Sequence, residues 1–390
     1  MIARSLLTFL LLVLLPDLYV DSHFLRRPGV ALWKRCLWWV PAGVLVCYTL
    51  VLALQDDFIP RDRFWVDLYL WLLCLAVIPK AVFALCSLVG SLTVRPFQTA
   101  RNYGHWVGIL LGVLAACSCV YGFTFGFNKL EVRRLDLTFD DLPAGFDGYR
   151  IAHVSDLHVG TTAGWRRGLL ERAVDSVVQA RPHVVCFTGD LQNVRPEEVL
   201  PVKELLRRLP RTFSVLGNHD YSEYADGTAD EREALERRMV DLQRRQLGWT
   251  LLCNDHCVVK APGGDSIFIA GTENDGRPPF PKKADYAKAL AGVPAGAFVL
   301  MMQHDPSAWR RSILTLDHPP QLTLSGHTHG GQVSLFGLRP TMIQYTEDSG
   351  LYEAHGHLLN VSNGLGGLIP FRLGVSSEII IITLHTKAKK

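Results

Sequence analysis

The chain of 390 residues has almost no net charge, since 40 Lys and Arg face 37 Asp and Glu. A nucleic-acid-binding domain usually presents a strongly basic face. The balanced composition therefore predicts no nucleic-acid partner.

The nine cysteines do not show the spacing of a disulfide framework or of a zinc site. Six of the nine cysteines lie in the apolar first third of the chain, where Cys behaves as a small hydrophobic residue. The other three, Cys186, Cys253 and Cys257, lack the paired spacing of a zinc ribbon. Neither a disulfide framework nor a structural zinc site is indicated.

The charged residues are unevenly distributed along the chain. Residues 1–126 hold 10 Lys and Arg and 6 Asp and Glu, whereas residues 127–390 hold 30 and 31. We therefore predict a membrane domain over 1–126 and a water-soluble domain over 127–390, which is long enough to bury a full core.

Four apolar stretches, 2–20, 33–54, 64–90 and 106–126, are long enough to cross a bilayer as helices. A cleaved signal peptide is the alternative for the first stretch, but no small-residue cleavage site follows Val20. The pattern predicts a multi-pass protein of the cell (inner) membrane, with the lipid bilayer as a partner.

The short loop 21–35 carries four basic residues, Arg26, Arg27, Lys34 and Arg35. Short basic loops favour the cytoplasmic side. With four spans, this loop favours an extracytoplasmic C-terminal domain. The loops of the two sides carry six basic residues each, so the cytoplasmic alternative stays open.

Asp67 and Lys80 are ionisable residues within the third predicted span. Such residues often mark function, but they are 13 positions apart and cannot pair on one helix. We expect both to reach an interface with their side chains, which argues against a transporter.

From Lys129 onward, short β-branched runs alternate with helical stretches, which predicts a layered α/β domain. The predicted strands are 131–139, 149–154, 183–188, 212–216, 266–270, 297–302, 321–325, 358–362 and 378–384. The predicted helices lie near 164–180, 196–208, 228–246 and 305–315.

Five of these strands run directly into Asp, Asn or His. The residues are Asp156 and His158, Asp190, Asn218, His304, and His327 with His329. In α/β sheets, the carboxyl ends of strands form the crevice in which ligands bind. One such pair alone is more often a turn or cap, but five at strand ends predict a shared site.

The donor types indicate metal ions. Side chains two apart lie on the same side of an extended segment, so Asp156 with His158, and His327 with His329, are expected to converge. Asp190 can bridge two cations. A set of oxygen and nitrogen donors without thiolate suits Mn, Fe, Zn or Co. Two such ions can clamp a phosphate and activate a bridging water.

Two further residues are candidate catalytic groups. His219 follows Asn218 and is placed to protonate a leaving alcohol, and Asp220 is expected to orient its imidazole and set its tautomer.

These motifs together resemble the calcineurin-like metallophosphoesterases over about residues 149–384. The phrases Ser155–Gly160 and Gly326–Gln332, with the late Gly364–Gly367, Pro370 and Arg372, are similar to the branch of bacterial membrane or exported phosphodiesterases. That branch also contains the transmembrane protein with a metallophosphoesterase domain. Gln192 and Asn193 stand where the purple acid phosphatases carry a tyrosine ligand, so that branch is disfavoured.

The resemblance implies a four-layer α/β/β/α sandwich behind the four-helix membrane region. It implies one metal held by Asp156, His158, Asp190 and His329, and a second held by Asp190, Asn218, His304 and His327. His219 would be the catalytic histidine, and two divalent ions, Mn favoured, would be the cofactors.

A membrane-anchored phosphodiesterase with a lipid-linked or amphiphilic phosphoester substrate is therefore expected. By resemblance, a UDP-diacylglucosamine-like glycolipid is one candidate and a phospholipid is another. The glycolipid would require the domain to face the cytoplasm, against the loop charges. The apolar segment 365–371 is either an acyl-chain contact or a plain core loop. The alternative function is a non-catalytic metal-binding receptor or scaffold with the same fold.

Overall fold

The structure is a computed structural model that describes residues 5–55, 59–60, 62–94 and 101–387. It divides into two compact units, residues 1–123 and 124–390.

The first unit contains the four predicted spans. The candidate membrane-crossing helices are Leu6–Leu25, Leu32–Ala53, Arg63–Val94 and Gly104–Gly126. Their α-helical parts are α1 (Leu6–Val20), α2 (Leu32–Ala53), α3 (Arg63–Leu72), α4 (Ile78–Val94) and α5 (Gly104–Tyr121), with π-helical turns at Asp21–Leu25, Leu73–Val77 and Gly122–Gly126. The first residues of the predicted span 2–20 lie outside the described residues.

Several charged residues in the described part of this unit form ion pairs. The Lys80 ammonium donates to both carboxylate oxygens of Asp17, at 2.8 and 2.6 Å, and Asp17 is fully buried. Asp67 is buried and lies 3.6 Å from the Arg63 guanidinium. Lys80 and Asp67 thus pair with other residues and not with each other, as predicted, and an opposite charge stabilises each of them. That both side chains reach an interface stays a prediction.

The second unit is built on two six-stranded sheets. The strands are β1 (Leu130–Phe139), β2 (Tyr149–Val154), β3 (Val184–Phe187), β4 (Thr212–Ser214), β5 (Thr250–Leu251), β6 (Asp255–Lys260), β7 (Ser266–Gly271), β8 (Val299–Met302), β9 (Leu322–Ser325), β10 (Gly350–Ala354), β11 (His357–Val361) and β12 (Ser377–Thr386). The first sheet has the order β1-β12-β2-β3-β4-β5, and the second has the order β10-β11-β9-β8-β7-β6.

Helices cover the outer face of each sheet. The α-helices of this unit are α6 (Val159–Thr162), α7 (Arg167–Ala180), α8 (Lys203–Leu206), α9 (Ala229–Asp241), α10 (Tyr286–Ala289) and α11 (Ala308–Arg311). The predicted helices near 196–208 and 305–315 are each a short α-helix joined to a 3₁₀ turn.

Alternation along the strands shows the layering. On β12, Ile380 and Ile382 belong to a core cluster shared with the second sheet, whereas Ile379 and Ile381 pack in the cluster that includes helix α7. A strand buried on both faces reads as a continuous apolar run. A third cluster around Trp309 covers the other face of the second sheet. The predicted α/β/β/α sandwich is confirmed.

Parallel pairing brings the ends of several strands to one edge. Strands β2, β3 and β4 are mutually parallel in the first sheet, and β7, β8 and β9 are mutually parallel in the second. The loops that follow β2, β3, β4, β8 and β9 carry the predicted ligands.

Candidate metal centre

The structure brings all seven predicted ligands together. Potential donor atoms lie within 4.8 Å of one another in each of two groups: Asp156, His158, Asp190 and His329, and Asp190, His304 and His327. The Asn218 amide oxygen lies 2.7 Å from His327 Nδ1 and 3.1 Å from His304 Nε2, so it joins the second group.

Asp190 lies between the two groups. Its Oδ2 atom is 3.5 Å from His158 Nε2 and 3.3 Å from His304 Nε2. One oxygen of Asp190 therefore faces candidate ligands of both groups and would be available to an ion held by either.

Five ligand residues have left-handed backbone conformations. The φ angles are 52° at Asp156, 42° at His158, 59° at Asp190, 73° at His327 and 54° at His329. Non-glycine residues are uncommon in this region, and such strain concentrates at functional sites. The predicted extended geometry of the two pairs is therefore wrong, because tight turns after the strands bring these side chains together.

Close backbone approach around Asp156 depends on glycine. A Cβ atom on Gly326 would lie 1.9 Å from Ser155 Oγ and 2.2 Å from Asp156 Oδ2. At Gly364, with φ of +69°, a Cβ would lie 2.6 Å from the Asp156 Cβ. Arg372 is fully buried and donates to the carbonyls of Asn363, Gly364 and Gly366, which fixes this loop.

The site is largely buried, and its burial and internal charges shift the pKa values of several side chains. Burial raises the pKa of Asp156 to about 7 and lowers the pKa of His158 to about 3. Burial alone would lower the pKa of His304, but the neighbouring Asp190 carboxylate raises it to about 10. In the same pair, burial would raise the pKa of Asp190, but the charge of His304 holds it well below its ordinary value.

These residues fit a pair of cations. Buried carboxylates need a compensating positive charge, which a bound cation would supply to Asp156 and Asp190. The donor set contains two carboxylates, four imidazoles and one amide, without thiolate, as first-row transition metals of the Mn, Fe and Zn type accept. His329 Nδ1 is buried without a hydrogen-bond partner.

His219 is held at the site through its backbone and its ring. Its backbone N–H donates to Asp190 Oδ1 at 2.8 Å, and its Nδ1 lies 2.6 Å from the Asn193 carbonyl oxygen. A carbonyl can only accept, so Nδ1 carries the proton and Nε2 is left for the cavity. The ring stacks on Tyr224 at 4.3 Å between centroids.

The predicted role of Asp220 in orienting this imidazole is wrong. Asp220 Oδ2 accepts from the backbone N–H groups of Asp190 and Gly217, and Oδ1 accepts from those of Leu191 and Gln192. Its oxygens are therefore occupied by the loops after β3 and β4. The orienting group is the Asn193 carbonyl.

Two tyrosines at the site have no signal in the sequence. The Tyr345 hydroxyl lies 2.9 Å from His327 Nε2, and the Tyr224 hydroxyl accepts from the Asn218 amide at 3.1 Å. Neither follows a strand, so the rule that placed the ligands could not find them.

A cavity of about 260 Å³ opens over these residues, and its lining includes His158, His219, Tyr345 and Leu368. In segment 365–371, Leu365 is buried in the core and Leu368 lines the cavity. A larger cavity of about 490 Å³ on the second sheet has lining residues that belong to neither ligand group, so we assign the chemistry to the smaller one.

Comparison with known proteins agrees with this geometry. Residues 149–331 match the family described as calcineurin-like phosphoesterase. Residues 3–127 match the family described as probable calcineurin-like phosphoesterase, transmembrane domain.

Three curated proteins from different organisms are similar to this chain. An uncharacterized metallophosphoesterase of Bacillus subtilis is 29% identical, over 71% of this chain and 95% of its own length. A transmembrane protein with metallophosphoesterase domain of Danio rerio is 31% identical, over 71% of this chain and 62% of its own. A UDP-2,3-diacylglucosamine pyrophosphatase of Chlamydia trachomatis is 26% identical, over 65% of this chain and 89% of its own.

Proposed function

We propose that this chain, which belongs to the calcineurin-like phosphoesterases and is a multi-pass membrane protein, hydrolyses a lipid-linked phosphodiester or pyrophosphate. The observation that carries this proposal is a complete seven-ligand site on a chain with four membrane spans. The glycolipid pyrophosphatase among the relatives supports an amphiphilic substrate.

We assign the two metal positions as the sequence predicts. Asp156, His158, Asp190 and His329 would hold one divalent ion, and Asp190, Asn218, His304 and His327 would hold the other, with Mn²⁺ favoured. When bound, such a pair neutralises the charge of a phosphoryl group and supplies a nucleophile at neutral pH.

The residues of the chain position and protonate the substrate. With Nδ1 bonded to the Asn193 carbonyl, the imidazolium form of His219 presents Nε2–H to the cavity and can protonate the departing oxygen. Tyr345 and Tyr224 hold His327 and Asn218 in place. The cavity is smaller than a pocket for a drug-sized ligand, so it admits the phosphoryl group and its neighbours while acyl chains remain outside.

A chromogenic assay tests the hydrolysis. Purified protein should cleave bis-p-nitrophenyl phosphate with Mn²⁺, and His219→Ala should lower kcat by roughly 10²–10⁴-fold while leaving bound metal unchanged. The exposed His318→Ala is the control and should match the wild type. Full activity in His219→Ala would remove this residue from the mechanism and favour a different proton donor.

The receptor alternative makes a different prediction. A protein that only binds ligands needs no proton donor at Nε2 of His219 and would show no metal-dependent turnover of any phosphodiester.

Substrate and sidedness are tested together. We place the catalytic unit on the extracytoplasmic side of the cell membrane, since loop 21–35 carries four basic residues and short basic loops favour the cytoplasm. Protease added to sealed vesicles of known sidedness reports which side is accessible. Comparing lipids of cells with wild-type and Asp190→Asn protein identifies what accumulates. An outward domain with an accumulated phospholipid supports the proposal, whereas an inward domain with a nucleotide-linked glycolipid reverses the sidedness.

A further inference from the structure

Beside the candidate metal centre, one short segment exposes five large apolar side chains. These residues, the apolar tip, are Leu335 (55% exposed), Phe336 (104%), Leu338 (71%), Met342 (49%) and Ile343 (88%). Scattered exposed apolar residues are normal, but a contiguous group marks an interaction surface.

The tip has a defined shape. Leu335 and Leu338 exchange backbone hydrogen bonds at 3.0 Å, and the two residues between them, Phe336 and Gly337, have φ angles of +53° and +83°. Two successive positive φ angles form the tight hairpin turn in which Asn or Gly is ordinarily preferred. A phenylalanine here carries a backbone cost, and its full exposure leaves no contact inside the unit to offset that cost.

The tip is joined to the metal centre. The Ser334 N–H donates to the Leu373 carbonyl at 2.7 Å, and the Gln332 amide donates to the carbonyls of Ile369 and Phe371. On the inner side of the same segment, Thr341 and Gln344 line the site cavity. Apolar residues on the outside and cavity residues on the inside therefore share one stretch of chain.

The surroundings of the tip suit a lipid surface. Residues 333–344 contain no Asp or Glu. The exposed Arg277 donates to the Gln344 carbonyl at 2.9 Å, which places a cation at the rim of the patch. Apolar side chains flanked by basic ones are the composition of surfaces that enter the headgroup region of a bilayer. Arg339, within the segment, is neutralised by Asp348 at 2.7 and 2.9 Å.

The chain between the last candidate span and the catalytic unit is short. Residues 127–129 alone separate the last candidate span, which ends at Gly126, from strand β1. A chain extends by at most about 3.6 Å per residue, so only a short length of chain separates β1 from the last candidate span.

We propose that the apolar tip inserts into the headgroup region of the bilayer in which the chain is anchored, and delivers lipid-linked phosphoesters to the site cavity. The second part rests on the proposed function, whereas the insertion itself does not.

Photocrosslinking tests the insertion. The full-length protein, carrying p-benzoylphenylalanine in place of Phe336, is reconstituted in vesicles of phosphatidylethanolamine and phosphatidylglycerol and irradiated. We expect lipid adducts by intact mass, at least about tenfold more than with the same probe at Val258, which is 42% exposed on strand β6. Crosslinks to a second copy or another protein, or no adduct above the Val258 level, would overturn the proposal.

A pair of assays tests delivery. In the double variant Phe336→Ser, Ile343→Ser, cleavage of soluble bis-p-nitrophenyl phosphate should stay within about twofold of the wild type. Cleavage of vesicle-embedded phosphatidyl-p-nitrophenol, which has the same leaving group, should fall by at least about tenfold. An equal effect on both substrates, or on neither, contradicts delivery by the tip.

The outcomes separate the two proposals. If the wild type cleaves neither substrate but the probe in place of Phe336 still labels lipid, the proposed function fails and insertion stands. If the wild type cleaves both substrates and no lipid adduct forms, insertion fails alone.

Discussion

At the scale of single residues, Asp220 joins the loops that hold the candidate ligands. Two oxygens of one buried carboxylate accept four backbone N–H groups from the turns after β3 and β4. An acceptor with this many donors stabilises a turn that the backbone alone would leave unsatisfied.

Asp220→Asn tests this role. The amide nitrogen cannot accept, so two of the four N–H groups lose their partner, and we expect a loss of about 2–4 kcal/mol in the free energy of unfolding. Thermal unfolding with and without Mn²⁺ measures this loss, and the exposed Asp140→Asn is the control. If Asp220 instead oriented the imidazole, the pH profile of hydrolysis would change while stability stayed nearly intact.

His153 makes stability depend on pH. It is fully buried between Thr188 and Asn360, and burial lowers its pKa to about 3 from 6.5. The unfolded chain therefore binds more protons than the folded one between these values, so stability is lost as pH falls from 6.5 towards 3.

The expected slope is about 1.4 kcal/mol per pH unit. The melting temperature should therefore fall between pH 6.5 and 5.5 by roughly 3 °C more in the wild type than in His153→Gln. All other buried histidines are unchanged in this variant. If the melting temperatures of the two proteins fell equally with pH, His153 would have the same protonation in the folded and unfolded states.

The convergence of the candidate ligands could be predicted from the sequence, but its structural cause could not. Position after a strand was sufficient to find Asp156, Asp190 and His304. Five candidate ligands have left-handed backbone conformations, and these depend on tertiary contacts such as that between Gly364 and Asp156. Asp220 and the carbonyl of Asn193 act through hydrogen bonds between loops, which spacing does not encode.

At the scale of elements, the turn after β9 approaches the turn after β2 so closely that only glycine fits. Gly326→Ala would place a methyl group 2.2 Å from Asp156 Oδ2.

We expect Gly326→Ala to weaken Mn²⁺ binding by roughly tenfold or more, since loss of ligand orientation typically costs 10–100-fold. Gly263→Ala, which meets nothing within 4 Å, is the control. Metal content after dialysis against graded Mn²⁺ measures the effect, and equal retention in both variants would mean that the two turns move apart freely.

The sequence predicted the strands that are buried on both faces of their sheet. The apolar runs of β2, β3, β8, β9 and β12 are all present as predicted. The missed strands are β5, with two residues, and the outer β6 and β10. Sequence DHCVVK of β6 begins with polar residues, and GLYEA of β10 is partly exposed throughout. Their pairing is decided by the neighbouring strand rather than by their own pattern.

At the scale of the whole molecule, the two compact units differ in what stabilises them. The membrane unit relies on apolar helices and ion pairs such as Lys80 with Asp17. The catalytic unit brings two carboxylates and four imidazoles, the candidate ligands, together at one edge of its sheets, and four of these six residues are buried.

Removing metal should therefore affect one unit only. A cation at 100 times its Kd stabilises the state that binds it by about 2.7 kcal/mol, so chelation should lower the melting temperature of the catalytic unit by several degrees. The helical circular dichroism of the membrane unit should remain. Asp190→Asn protein, which lacks the carboxylate shared by both candidate groups, should show almost no shift, and an equal shift in this variant would place the metal effect elsewhere.

The five left-handed ligand residues have a consequence for how the protein matures. Each such conformation costs about 1 kcal/mol, and the five together approach the whole net stability of an ordinary domain. Hydrogen bonds of the surrounding loops with Asp220 and Arg372 offset part of this cost, and cations held by the candidate ligands would offset more of it. We therefore expect a newly made chain to enter the membrane and complete its sheets first, and to become an enzyme only when cations arrive. The active fraction of such a protein follows the metal supply of its compartment rather than its rate of synthesis.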